Sequence, residues 1–98
     1  MSRILLRFTP AARGHLRSIG RHTEETWGTE QRDRYLSQLY TGFEEIRKAP
    51  KLGRNRDELY PGMRSKRVQE HIVYYFVEKS QIVIAGVLHG RMDPSRHL

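Results

Sequence analysis

The spacing of apolar residues at the start of the chain predicts a strand followed by an amphipathic helix. The residues from Arg3 to Phe8 alternate between an apolar face and a face with Arg3, Leu5 and Arg7, which is the period of a strand with one buried face. The face expected to be buried carries Ile4, Leu6 and Phe8. Thr9 and Pro10 then supply a hydroxyl N-cap and a proline at the first helical position, the usual start of a helix. The apolar face of this helix carries Ala12, Leu16, Ile19, Thr23 and Trp27, and a flanking basic stripe carries Arg13, Arg17 and Arg21.

A second amphipathic helix is expected after a glycine turn. Gly28 ends the first helix, and Thr29 is expected to cap the second, which runs from Glu30 to about Ala49 and stops before Pro50. The apolar face of the second helix carries Tyr35, Leu36, Leu39, Tyr40, Phe43 and Ile46. Two amphipathic helices joined by such a short turn form an antiparallel hairpin with facing apolar stripes.

The second half of the chain predicts an ordered loop and three strands. Residues 51–62 contain glycine and proline and show neither the helical nor the strand period. Strands are expected at 63–69, 71–77 and 82–88, and the last two are nearly continuous apolar runs, typical of a hairpin buried on both faces. The order β-α-α-β-β-β therefore predicts one α+β domain over residues 1–98, a helix hairpin packed on a small, mostly antiparallel sheet.

Composition narrows the classes of function. The absence of cysteine excludes disulfide scaffolds, cysteine-based zinc sites, iron–sulfur clusters and thiol nucleophiles. No stretch approaches the roughly 20 apolar residues that cross a bilayer, and residues 1–10 lack the pattern of a signal peptide, so a cytoplasmic location without membrane contact is expected. Eighteen lysines and arginines against 11 acidic residues give a net charge of +7. Eight of these cations lie between Arg47 and Arg67, a segment that suits an acidic protein or nucleic acid, or else forms a solvated surface.

The candidate chemistry is limited. Neither His15 with His22 nor His89 with His97 has a third ligand in a recognisable metal motif, so no metal or other cofactor is expected. No serine occupies a Gly-x-Ser-x-Gly turn, and no glycine-rich phosphate loop is present. Metal-free RNA cleavage stays open, because it needs only a general base, a general acid and cations. The residues that could supply these roles are Arg54, Arg56, Arg64, Lys66, Arg67, His71, His89 and Arg91.

The loop and the tail of the chain resemble the ParE family of toxins. The resemblance rests on residues 53–65 (GRNRDELYPGMRS) and 87–98 (VLHGRMDPSRHL), with Val68, His71 and Tyr75 between them. It extends upstream through the helix start at residues 9–12 and through Trp27-Gly28, and so covers nearly the whole chain. The fold of this family, within the RelE/ParE superfamily, agrees with the element order above. One departure is Gly86, where many relatives are expected to carry arginine.

The resemblance implies a toxin of a type II toxin–antitoxin pair that inhibits DNA gyrase and so DNA replication, without catalysis of its own. RelE-type relatives with the same fold cleave mRNA on the ribosome, which is the alternative, and an inactive toxin kept as an antitoxin-binding module is a third. The candidate target-binding residues are Arg54, Arg56, Arg64, His89, Arg91 and Arg96. The candidate antitoxin-binding residues are Arg13, Arg17 and Arg21.

The partner implied by the resemblance is a ParD-like antitoxin. An acidic antitoxin segment suits a surface of charge +7, and it can add at the edge left by a short first strand or in a groove beside the helix hairpin. We expect a hetero-oligomer in which the toxin itself reads no specific DNA sequence.

Structural roles are the alternatives for several of these residues. Arg54 and Arg56 could staple their own loop through Asp57, and Arg91 could pair with Asp93. Three tyrosines on the apolar patterns are expected in the core: Tyr35, Tyr40 and Tyr75.

Overall fold

A helix hairpin lies against one face of a sheet in the computed structural model, which describes residues 4–98. The strands in this range are β1 (Leu5–Phe8), β2 (Arg54–Asn55), β3 (Met63–Val68), β4 (His71–Val77) and β5 (Gln81–His89). The helices are α1 (Pro10–Trp27), α2 (Thr29–Lys48) and the short α3 (Pro94–His97), with a 3₁₀ turn at Pro50–Leu52. The predicted α+β fold is confirmed. Arg3, the expected start of the first strand, lies outside the described residues.

The order of strands across the sheet is β1-β5-β4-β3-β2 within residues 4–98. β1 pairs in parallel with β5, with Leu6 opposite Ile82, and the other neighbours are antiparallel. The predicted central hairpin is therefore β4 with β5, and His71 at the start of β4 faces His89 at the end of β5. The short β1 forms one edge of the sheet, as expected, and the two-residue β2 forms the other.

The two long helices begin and end close to their predicted limits. The Thr9 hydroxyl accepts a hydrogen bond from the Ala12 N–H at 3.1 Å and so caps α1. Gly28 has a φ of 93°, a left-handed conformation that suits glycine and lets the chain reverse between α1 and α2. The prediction that Thr29 caps α2 is wrong, because the reversal puts the cap position on Gly28 and Thr29 becomes the first helical residue.

The main core lies between the helix hairpin and the sheet. Its buried residues come from both helices and from β3, β4 and β5: Ala12, Ile19, Leu39, Phe43, Ile46, Val68, Val73, Tyr75, Ile82, Ile84 and Val87. A smaller buried cluster of Met63, Tyr74 and Leu88 covers the outer face of the sheet, with Leu98 packed against it. Both faces of the central hairpin are therefore buried, as its continuous apolar runs predict.

Two aromatic residues expected on buried faces are exposed. Trp27 is 72% exposed because it is the last residue of α1, one turn beyond Thr23, where no element within residues 4–98 covers the helix. Tyr40 is 52% exposed because it lines the groove of the hairpin, and its ring meets that of Phe43 edge-on. Tyr75 is in the core as predicted, and Tyr35 is half-buried.

The segment predicted as a loop contains the 3₁₀ turn and the short strand β2. The Asp57 carboxylate orders it by accepting hydrogen bonds from the Asn55 side chain at 3.0 Å and from the Gly62 N–H at 2.8 Å. β2 pairs with β3 through Arg54 and Asn55 alone, and a strand of two residues has no period that a sequence could show.

Candidate functional site

The arginines of the basic loop divide into one that is exposed and two that hold the loop together. Arg56 donates to the Glu58 carboxylate at 2.8 Å and lies 5.4 Å from the ring centre of Tyr74. The hydrogen bond from Arg56 holds the pKa of Glu58 below its usual value. Arg64 donates to the backbone carbonyl of Gly53 at 2.9 Å. Arg54 is exposed on the edge strand, and the arginine–carboxylate contact of the loop is that of Arg56 with Glu58, whereas Asp57 accepts from Asn55 and Gly62 instead.

The tight turn after β5 presents a second exposed cation. The Arg91 N–H donates to Nδ1 of His89 at 3.1 Å, and the Gly90 N–H donates to the carbonyl of Glu70 at 2.9 Å. The Arg91 side chain is exposed, and among residues 4–98 no carboxylate lies within 4.0 Å of it. The expected pair of Arg91 with Asp93 is not formed, because Asp93 caps α3.

Arg96, the remaining predicted target-binding residue, lies on α3. It is exposed, with its Nε 3.8 Å from the carboxylate of Asp93. An exposed pair at this distance contributes little to stability. The six predicted target-binding residues therefore fall on two segments of the chain, one from β2 to β3 and one from the end of β5 through α3.

A group of aromatic and imidazole rings lies beside that turn, and sequence reasoning did not connect its members. The Glu70 N–H donates to the Tyr35 hydroxyl at 3.2 Å, and the hydroxyl is 2.6 Å from Nδ1 of His71. The rings of His71 and His89 meet edge-on with their centres 5.5 Å apart. Burial, followed by the nearby His89, lowers the pKa of His71 to about 4. Together with His22 these rings line an open groove of about 270 Å³.

His15 and Gly86 meet on the free part of β5, beyond the end of β1. The Val87 N–H donates to Nδ1 of His15 at 3.1 Å, and burial lowers the pKa of this imidazole. A Cβ atom built on Gly86 would overlap the side chain of Leu98 and lie 3.3 Å from Cε1 of His15. The glycine at this position thus makes room for Leu98, where an arginine would displace it.

The outer surface of the helix hairpin contains a groove of about 610 Å³. Its walls combine apolar and charged side chains from both helices: Leu16, Arg17, Gly20, Arg21, Glu24, Arg32, Asp33, Leu36 and Tyr40. Two of the predicted antitoxin-binding residues, Arg17 and Arg21, therefore lie on it. Arg13, the third, lines a different groove beside the β1 edge, together with Arg7 and Glu78.

The described residues contain neither a cluster of metal-ligating side chains nor a helix suited to crossing a bilayer. Within residues 4–98 no three histidine, aspartate or glutamate side chains come close enough to hold a metal ion. In the same range no helix is both long enough and apolar enough to cross a bilayer.

The chain is similar to known proteins along most of its length. Residues 6–94 match the family model described as ParE toxin of type II toxin-antitoxin system, parDE. The chain is 38% identical over 98 residues to Toxin ParE1 of Mycobacterium tuberculosis, covering 99% of this chain and 98% of that relative. It is 32% identical over 92 residues to Toxin ParE1 of Caulobacter vibrioides, covering 94% and 95% of the two chains.

A solved structure has the same fold. It is described as the chromosomal ParDE TA system from P. aeruginosa, and it superposes with a TM-score of 0.77 over 89% of this chain and 96% of that chain, at 18% identity. A helix hairpin on a mostly antiparallel sheet is thus the fold that the chain shares with that structure. The chain belongs to the ParE toxin family, and it is a toxin of a type II toxin–antitoxin system with an antitoxin as its partner.

Proposed function

We propose that this toxin inhibits DNA gyrase, and so DNA replication, by binding rather than by catalysis, and that a ParD-like antitoxin neutralises it. The observation that carries the proposal is the family match over residues 6–94, which includes the turn that presents Arg91 without a carboxylate partner within the described chain. An unpaired, exposed guanidinium is well suited to bind a carboxylate of a partner protein. The proposed target places the action of the toxin in the cytoplasm.

A supercoiling assay with purified gyrase, relaxed plasmid and the purified toxin tests this proposal. We expect loss of supercoiling and accumulation of cleaved plasmid. A hydrogen bond to a charged group contributes about 1.5–3 kcal/mol, so Arg91→Ala should raise the toxin concentration for half inhibition at least about tenfold. Lys79→Ala removes an exposed cation from the β4–β5 turn and serves as the matched control, with no change expected. Unimpaired supercoiling at a large excess of toxin would refute gyrase inhibition.

We propose further that an acidic helical segment of the antitoxin occupies the groove on the helix hairpin. The groove combines apolar side chains of both helices with the cations Arg17 and Arg21, and an amphipathic helix with acidic flanks complements that combination. Arg17→Glu with Arg21→Glu should weaken the complex and reduce the salt dependence of its affinity, because two favourable charge contacts become repulsive.

The antitoxin encoded by the adjacent small gene is the partner for this measurement, by size-exclusion chromatography and calorimetry at two salt concentrations. Arg34→Glu reverses an exposed charge on α2 outside the groove and is the control. Equal weakening by Arg34→Glu would show that only the net charge matters. Absence of any complex with the unaltered toxin would remove the antitoxin proposal.

Ribosome-dependent mRNA cleavage is the alternative function, and one observation favours it. The His71 and His89 rings lie beside the turn that carries the exposed Arg91, and burial lowers the pKa of His71 to about 4; such a group of residues can move a proton and stabilise a negatively charged transition state. Cleavage of mRNA on purified ribosomes, lost in His89→Ala and in Arg91→Ala, would establish this function in place of gyrase inhibition.

A further inference from the structure

We propose that His89 is a positioning residue, which fixes Arg91 for contact with the target through a hydrogen bond to the Arg91 backbone. His71 and Tyr35 hold the imidazole of His89 in turn. The proposal rests on the proposed function in one respect, that Arg91 is the group that meets the target.

The backbone of the turn depends on His89 at two points. The Arg91 N–H donates to the imidazole Nδ1 at 3.1 Å, and the Met92 N–H donates to the His89 carbonyl at 2.9 Å. The first of these bonds uses the side chain, and it fixes the peptide unit directly before the Arg91 side chain. Because the long arginine side chain is exposed, its backbone is the part that the fold can hold in place.

A backbone donor sets the tautomer of His89. A backbone N–H can only donate, so Nδ1 of His89 accepts and the ring proton is on Nε2. The Tyr35 hydroxyl accepts from the Glu70 N–H and shares a hydrogen bond of 2.6 Å with Nδ1 of His71. The two imidazoles pack edge-on at 79°.

The same contacts tie the turn to helix α2. Glu70 uses its N–H to reach Tyr35 on α2 and its carbonyl to accept from Gly90, so one residue connects the helix to the turn that carries Arg91. His71, held by Tyr35, supports the ring of His89 from the opposite strand. Tyr35 and His71 are thus positioning residues that act through His89.

Two substitutions at one position separate positioning from direct action on the target. Asparagine places Oδ1 at the same number of bonds from Cβ as Nδ1 of histidine, so His89→Asn keeps an acceptor for the Arg91 N–H and removes Nε2. His89→Ala removes both. His22→Ala is the control, because His22 lines the same groove and does not contact the turn through a hydrogen bond in the described residues.

Amide hydrogen exchange of Arg91 by NMR and gyrase inhibition are the two readouts. One hydrogen bond, such as that from the Arg91 N–H to the His89 imidazole, contributes about 1 kcal/mol. His89→Ala should therefore speed exchange about fivefold and raise the half-inhibitory concentration about fivefold. His89→Asn should stay within about twofold of the unaltered toxin in both, and His22→Ala should match it.

Two results would overturn the proposal. Unchanged exchange at Arg91 in His89→Ala means that the imidazole does not hold the turn. Normal exchange with lost inhibition in His89→Asn means that Nε2 acts on the target itself. If the unaltered toxin does not inhibit gyrase, the proposed function fails, whereas the exchange rates still decide whether His89 positions Arg91.

Discussion

Gly86→Ala is a one-carbon change that tests how the outer face of the sheet is closed. A Cβ atom at this position would overlap the Leu98 side chain and press on His15 at 3.3 Å. Extra atoms in a filled site cost about 1–3 kcal/mol, and the half-exposed Leu98 can swing away, which puts the cost near the lower end. Replacing glycine by alanine also stabilises the protein by about 0.5–1 kcal/mol, because the unfolded chain then has fewer accessible conformations. The net expectation is a loss of at most about 0.5 kcal/mol, or about 2–4 °C in Tm.

Urea unfolding of a double-mutant cycle with Leu98→Ala measures the effect. In the Leu98→Ala background the overlap is gone, so Gly86→Ala should become neutral or slightly stabilising there. Gly14→Ala in α1 is the control: within residues 4–98 the nearest side chain to its Cβ would be that of Arg17 at 3.8 Å, so this substitution should stabilise the protein by about 0.5–1 kcal/mol. Additive effects of Gly86→Ala and Leu98→Ala would refute the packing argument.

Three other changes test separate parts of the fold. Thr9→Ala removes the cap of α1 and should cost about 1 kcal/mol in thermal unfolding, whereas Thr29→Ala, which removes no cap, should cost little. A Cβ on Gly42 would lie 2.5 Å from Cγ2 of Val68, so Gly42→Ala should destabilise the protein by about 1 kcal/mol or more, and Val68→Ala should relieve the added strain. His71 should make the protein acid-sensitive: its pKa of about 4 lies below the ordinary 6.5, so the stability that it contributes is complete above pH 6.5 and is lost as the pH falls towards 4.

The acid effect has an upper limit of about 3.4 kcal/mol at 1.36 kcal/mol per pKa unit, and partial exposure of the imidazole reduces it to about 1–2 kcal/mol. Urea midpoints at pH 7 and pH 4 for the unaltered chain and for His71→Gln measure it, since the glutamine variant should lose less stability on acidification. Equal losses in both proteins would contradict the assignment. Equal costs for Thr9→Ala and Thr29→Ala would contradict the assignment of Thr9 as the cap. Strict additivity of Gly42→Ala and Val68→Ala would contradict the predicted overlap between these two residues.

The elements of the fold could be predicted because each long element repeats its pattern several times. The two helices and the β4–β5 hairpin carry many apolar positions at one period, and their limits fall within a residue or two of expectation. The parallel pairing of β1 with β5 depends on contacts distant in sequence, and the two-residue β2 is too short to repeat a pattern.

The candidate site was less accessible to sequence reasoning. The sequence does not distinguish the arginines of this loop from one another. Only the fold shows that Arg56 donates to Glu58 and Arg64 to the Gly53 carbonyl, while Arg54 is exposed. The contact of Tyr35 with His71 spans 36 positions and has no signature in either segment. Residue types therefore indicated the chemistry that was present, and tertiary contacts decided which groups are available to a partner.

The parallel pairing of β1 with β5 also sets the order of events during synthesis. Thr9, the residue after β1, donates its hydroxyl proton to the carbonyl of Ala85, 76 positions later in the chain. β1 can therefore pair only after β5 has left the ribosome, and contacts this distant in sequence slow the formation of a sheet. Both helices are made well before the strand against which α1 packs. During translation there is thus an interval in which most of the toxin chain has been synthesised, while the surfaces that need a complete sheet have not yet formed.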